Sequence, residues 1–108
     1  MNFKFLFLDD TDTSGESQIF YCDEGNTLTL QVKNLGSAAL NLEVKGLTDV
    51  DGDFATLAVT NLSNLENTNK ISAEGLYRLS LAGIMQIQIK NNGTAGACKV
   101  FGVMSTRS

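Results

Sequence analysis

The chain has 108 residues, 43% of them apolar and 19% charged, a balance that suits one globular domain spanning 1–108 and leaves no room for a second core. A net charge of −4 and a pI near 4.5 argue against a basic face that neutralises phosphates, so no nucleic acid partner is expected. No stretch approaches the roughly 20 consecutive apolar residues of a membrane span, and no membrane partner is expected either.

In chain order, the apolar run from Phe3 to Leu8 follows a charge pattern like that of a signal peptide, but it stops at Asp9-Asp10 with no small-residue cleavage site after it. It is read as a strand over 3–8 in a protein not exported by the general pathway. A second strand is expected over 18–22. Strict alternation then places Leu28, Leu30 and Val32 on one face, with Thr27, Thr29, Gln31 and Lys33 on the other. Leu40, Leu42 and Val44 repeat this against Asn41, Glu43 and Lys45. A strand follows over 55–60, and 61–70 reads as a polar loop with room for one helical turn. Strands over 77–81 and 97–104 flank a third clear alternation, Met85, Ile87 and Ile89 against Gln86, Gln88 and Lys90.

Turn residues separate these segments, among them Gly25-Asn26, Asp51-Gly52, Ala82-Gly83 and Asn92-Gly93. The spacing leaves no room for helical crossovers. The expectation is an all-β fold, a single antiparallel β-sandwich or jelly-roll of about eight strands.

The first and last strands break the pattern. Phe3, Phe5 and Phe7 share one face while Leu6 and Leu8 take the other, and Val100 and Met104 oppose Phe101 and Val103. A strand apolar on both faces requires cover on both, by a wrapped loop or by another chain. Phe3, Phe5, Phe101 and Val103 are therefore the candidate subunit-interface residues of a homo-oligomer. The lack of proline leaves edge strands without one common device against edge pairing.

Catalytic equipment is missing from the residue inventory. There is no histidine to serve as general base or zinc ligand, no nucleophile-elbow pattern and no glycine-rich phosphate loop. The chain is read as a non-enzyme with no catalytic residue, cofactor or metal. Asp49, Asp51 and Asp53 alternate as in a calcium loop, but an EF-hand counted from Asp49 would need glycine where Phe54 stands and glutamate where Thr60 stands. The plain alternative is a turn at Asp51-Gly52 with its carboxylates in solvent. Asp9, Asp10, Asp12 and Glu16 read as a solvated loop. Cys22 and Cys98 lack metal spacing, and are either two buried thiols or one bridge.

From about Leu40 onward the order of motifs is Leu42-Glu43-Val44-Lys45-Gly46, Asp51-Gly52-Asp53-Phe54, Gly75-Leu76-Tyr77-Arg78, Ala82-Gly83 leading into Ile87-Gln88-Ile89, and Gly96 through Val103. This order resembles phage and prophage structural proteins over the C-terminal two-thirds of the chain. It departs from them at Gln86 and Gln88, where similar sequences often carry an arginine, which puts in doubt any subunit contact made through that arginine.

The resemblance implies a non-enzymatic component of a virion, assembled in the host cytoplasm: a capsid auxiliary or decoration protein that binds the assembled shell. Its partners would be other virion proteins, such as major capsid or tail proteins, together with copies of itself, a trimer being the first guess. The alternative is a tail, neck or fibre component that recognises host carbohydrate through the sandwich face or the loop from Asp49 to Asp53.

Overall fold

The computed structural model describes residues 2–9, 15–22, 25–35, 40–49, 51–93 and 98–106, with side chains placed at all of these except 2, 3, 25, 26 and 106. In chain order the strands are β1 (Asn2–Leu8), β2 (Phe20–Tyr21), β3 (Gly25–Asn34), β4 (Leu42–Leu47), β5 (Ala55–Leu57), β6 (Val59–Asn61), β7 (Asn67–Thr68), β8 (Gly75–Ser80), β9 (Gln86–Asn91) and β10 (Cys98–Thr106). Among the described residues there is no helix.

The strands form a β-sandwich of two antiparallel sheets, ordered β1-β10-β3-β8-β6-β7 and β2-β9-β4-β5. The first strand pairs with the last, β2 with β9 and β3 with β8, while β4 and β5 form the hairpin at the far end. The chain runs out along one arm of a long folded hairpin and returns along the other. β6 and β7 are a short insertion that extends one sheet.

Alternation explains the core. Leu28, Leu30 and Val32 of β3 and Val100 and Met104 of β10 are buried from one side, and Leu42, Val44, Ile87 and Ile89 of β4 and β9 from the other. Removing each such side chain from water contributes about 1.5–3 kcal/mol. Cys22 and Cys98 are both buried in this core as thiols, Cys22 Sγ donating to Ile84 O at 3.3 Å and Cys98 Sγ accepting from Asn91 Nδ2 at 3.7 Å.

Three local features depart from the sequence expectation. The expected strand over 55–60 is two strands in different sheets: β5 pairs with β4, and β6 with β8 and β7. The chain changes sheet at exposed Ala58, so that Leu57 and Val59 reach one core from opposite layers. The 61–70 loop contains β7 and a single tight turn, closed by Leu65 N donating to Asn61 O at 2.7 Å with Leu65 at φ 61°. These two changes raise the expected eight strands to ten.

The third departure lies in β1. Its register with β10 runs Phe5↔Gly102, Leu6↔Phe101 and then Leu8↔Val100, leaving Phe7 as the extra residue of a β-bulge. The bulge turns both Phe7 and Leu8 inward, so Leu8 is buried instead of sharing the outer face with Leu6. Phe7 then needs space opposite. Gly102 provides it: a Cβ there would overlap the Phe7 ring and press on Leu28. Phe5, Phe7 and Phe20 complete an aromatic cluster, with ring centroids 4.8 to 6.1 Å apart in tilted and edge-on arrangements.

Beyond β2, residues 15–17 continue the pairing along β9. Asn91 N donates to Gly15 O at 2.6 Å, and Ser17 N to Ile89 O at 2.8 Å. Gly15 has φ 77°, and a Cβ at this position would stand 2.9 Å from Asn91 O, so both the backbone angle and the close approach call for glycine. On the outer side of this sheet, Glu43 accepts from Thr56 Oγ1 at 2.8 Å and from Asn92 Nδ2 at 2.5 Å, tying β4 to β5 and to the turn after β9.

Two predictions follow from these contacts. Gly102→Ala forces the Phe7 ring out of its seat and lowers the unfolding free energy by about 1–3 kcal/mol, the usual cost of overpacking, measurable by urea unfolding. The hydrogen bond from Thr56 holds the Glu43 carboxyl below the ordinary glutamate value, helped by Asn92, Lys45 and Lys90 and opposed by partial desolvation. A group whose folded pKa is depressed stabilises the fold above its unfolded pKa, and this contribution is lost as pH falls through the folded value. A carboxyl NMR titration should place the Glu43 midpoint below the ordinary value, and Thr56→Val should move it upward.

Candidate interaction surface

The outer face of the six-stranded sheet is assembled by register. Antiparallel pairing sets Leu6 of β1 beside Phe101 of β10, Phe101 beside Gln31 of β3, and Gln31 beside Leu76 of β8. Leu62 continues the row, its N–H donating to Leu76 O at 2.9 Å. Leu6, Phe101 and Leu76 are 46%, 37% and 47% exposed. With strands about 4.8 Å apart, the row from Leu6 to Leu76 covers about 14 Å of the sheet's width.

The neighbouring rows are cationic. Lys99 of β10 stands directly opposite Lys33 of β3, on one side of the apolar row. On the other side the register sets Lys4 beside Val103, Val103 beside Thr29, Thr29 beside Arg78, and Arg78 beside Thr60. Lys99 Nζ lies 5.2 Å from the centre of the Phe101 ring, a cation–π contact. Arg78 Nε donates to Thr29 Oγ1 at 3.2 Å. No strand of this sheet contains an aspartate or glutamate; among the described residues Glu43, in the other sheet, is the only acidic residue that lies in a strand. The net negative charge thus conceals a basic sheet face that composition argued against.

Beside Arg78 the surface dips into a recess of about 400 Å³ lined by Thr27, Thr60, Leu62, Leu65, Arg78 and Ser80, with Leu79 at its floor. Leu65 is 74% exposed at its rim. Its positive φ is a costly conformation for leucine, held by the backbone bond to Asn61 and by Asn64 Oδ1, which accepts from Glu66 N at 2.9 Å.

The residues picked from sequence as interface candidates divide between two places. Phe101 and Val103 lie on this outer face, as Leu6 does. Phe5 points the other way, half-buried in the aromatic cluster with Phe7 and Phe20. Phe3 pairs through its backbone with Met104, and its side chain lies outside the described residues. Leu76 and Arg78 were missed because only the non-local pairing of β3 with β8 brings them into line with Phe101.

The other candidates take structural roles. Asp49 Oδ1 accepts from Asp51 N at 3.0 Å, and Asp49 O from Gly52 N at 2.8 Å, so Asp49 shapes the turn between β4 and β5. Among the described residues no group of three or more potential metal ligands converges. Phe54 is half-buried, while Tyr21 is the most exposed aromatic side chain described, at 68%. Asp10 and Asp12 lie outside the described residues. Gln88, where the resemblance called for arginine, donates from Nε2 to Ser17 O at 3.0 Å and so ties β9 to its own edge.

No known family profile matches the chain, and no curated protein matches it in sequence. Solved structures do match. The SPBc2 prophage-derived protein YomS superposes with a TM-score of 0.82 at 17% identity, over 96% of this chain and 92% of that one. The PBSX exported protein XepA superposes with a TM-score of 0.84 at 15% identity, over 96% of this chain, which spans only 37% of the length of XepA. At such identities the likeness is one of fold: this chain has the fold of YomS and of a part of XepA.

Proposed function

We propose that the chain is a non-enzymatic structural subunit of a phage particle, an auxiliary protein that binds the assembled capsid shell. The observation that carries the reading is the apolar row Leu6, Phe101 and Leu76 on an open sheet face, a surface suited to contact with another protein. The fold likeness to YomS, an SPBc2 prophage-derived protein, supports it. So does the strand order: with β6 and β7 set aside, β1-β10-β3-β8 facing β2-β9-β4-β5 is that of a jelly-roll, an architecture used in viral capsids. That last argument is an analogy of fold.

Self-association belongs to the same proposal. The outer strands of the sandwich are β1, β7, β2 and β5, and three of them are two or three residues long. β1, with seven residues, is the longest strand among them, interrupted only by its bulge and by Lys4, while residues 15–17 prolong the β2 edge as far as Gly15 with its φ of 77°. β1 supplies the contact between copies, with a trimer as the first guess. Light scattering on the purified chain is expected to give a closed oligomer, and Leu6→Lys, which adds a second charge to that strand, is expected to shift it toward monomer.

A second reading is favoured by the fold likeness to XepA, an exported protein: a phage-encoded protein that acts at or beyond the host envelope. One experiment separates the two. Particles purified from producing cells should contain the chain in fixed stoichiometry, and cryo-electron microscopy should locate its density on the shell. A chain found in envelope or culture fractions and missing from particles would support the second reading. Density on a tail, neck or fibre would overturn the capsid assignment while keeping the virion one.

A further inference from the structure

We propose that the outer face of the six-stranded sheet docks an acidic protein, one that offers an apolar strip to Leu6, Phe101 and Leu76 and carboxylates to Lys33 and Lys99 on one side and to Lys4 and Arg78 on the other. The inference deepens the reading above by naming the partner's chemistry. Charge complementarity carries it. Four of the chain's eight cations lie in the strands of this sheet, which contain no carboxylate, in a chain whose net charge is −4.

Beyond the Arg78–Thr29 hydrogen bond and the Lys99–Phe101 ring contact, these cations have no charged partner among the described residues. Among the described residues none of the four makes an ion pair, and Lys33 and Lys99 are placed against each other, a like-charge opposition that isolated sheets avoid. A partner carboxylate between them would relieve that repulsion. On the far side, Arg78 uses Nε on Thr29 and lines the recess, and a guanidinium can hold a carboxylate by two hydrogen bonds.

Other occupants fit less well. A face-to-face contact with a second copy sets cationic rows against cationic rows, so this face does not pair with itself. A membrane surface requires apolar side chains that project beyond the charged ones. Here Leu6, Phe101 and Leu76 are no more than half exposed and stand between rows that carry lysine and arginine, the longest side chains on the face. Nucleic acid calls for cations that track a phosphate backbone, whereas an apolar row divides these.

The test is carbodiimide cross-linking, which joins lysine amines to carboxylates at contact distance, on the full chain expressed from its own gene, with linked peptides mapped by mass spectrometry. The expected result is links from Lys4, Lys33 or Lys99 to aspartates and glutamates of one other protein. K33E/K99E, which retains a like-charged pair and so leaves the melting temperature close to unchanged, should reduce these links at least tenfold. K70E, on an exposed loop outside the face, should not.

The proposal is overturned by links confined to Lys45, Lys70 or Lys90, by links only to other copies of this chain, or by no links at all. It is also overturned if the purified chain binds phosphatidylglycerol vesicles or a DNA duplex through Lys33 and Lys99 in preference to a protein. Absence of the chain from particles would defeat the virion reading and leave this one standing. Links from the wrong lysines would do the reverse.

Discussion

The pairing of β10 with β1 on one side and β3 on the other is the constraint on which the rest of the sandwich depends. The last strand of the chain joins the first to the interior of the six-stranded sheet, so the long hairpin closes only when β10 is in place. Its inward residues, Cys98, Val100 and Met104, are buried, and Gly102 leaves the gap into which the bulged β1 lowers Phe7. That aromatic ring reaches Phe20 of β2 at 4.8 Å, so one strand-pairing decision ties the six-stranded sheet to the four-stranded one. The same register fixes which residues face out: Lys99, Phe101 and Val103 are presented because their neighbours are needed within.

Charge is distributed by the same logic. Aspartate and glutamate are poor strand formers, and among the described residues all of them except Glu43 fall outside the strands. Lysine and arginine, whose long stems lie along an apolar surface, are tolerated on the outward positions of strands. An acidic protein therefore acquires a basic sheet face, divided by an apolar row. β5 and β7 are short edges, which leaves the outer face and the longer edges, β1 among them, as the surfaces fit for contact.

Much of the fold was legible in the alternation of residues. Leu28, Leu30 and Val32, Leu42 and Val44, and Ile87 and Ile89 are buried where the period of two placed them, and the turns at 51–52, 82–83 and 92–93 separate the strands they were expected to separate. What escaped was non-local. Leu57 and Val59 keep one phase through Ala58, so nothing in their pattern reveals a change of sheet. The bulge at Phe7 depends on Val100 and Gly102 facing it; Gly102, in the middle of an otherwise apolar strand, was the available signal that another side chain approaches closely. Phe5 and Phe101 looked alike as residues of doubly apolar end strands. Pairing separates them, with Phe5 in the aromatic cluster and Phe101 beside Leu6 on the outside.

The central claim is that the chain meets its partners with the outer face of the six-stranded sheet and the edge strand β1. Hydrogen–deuterium exchange on the chain, free and in its assembled form, tests this most directly. The account predicts that assembly adds protection in β1, β10 and the 75–80 segment and leaves β4, β5 and the 48–54 turn as they were. Added protection confined to β4, β5 and that turn, with β1 and β10 unaltered, would contradict it.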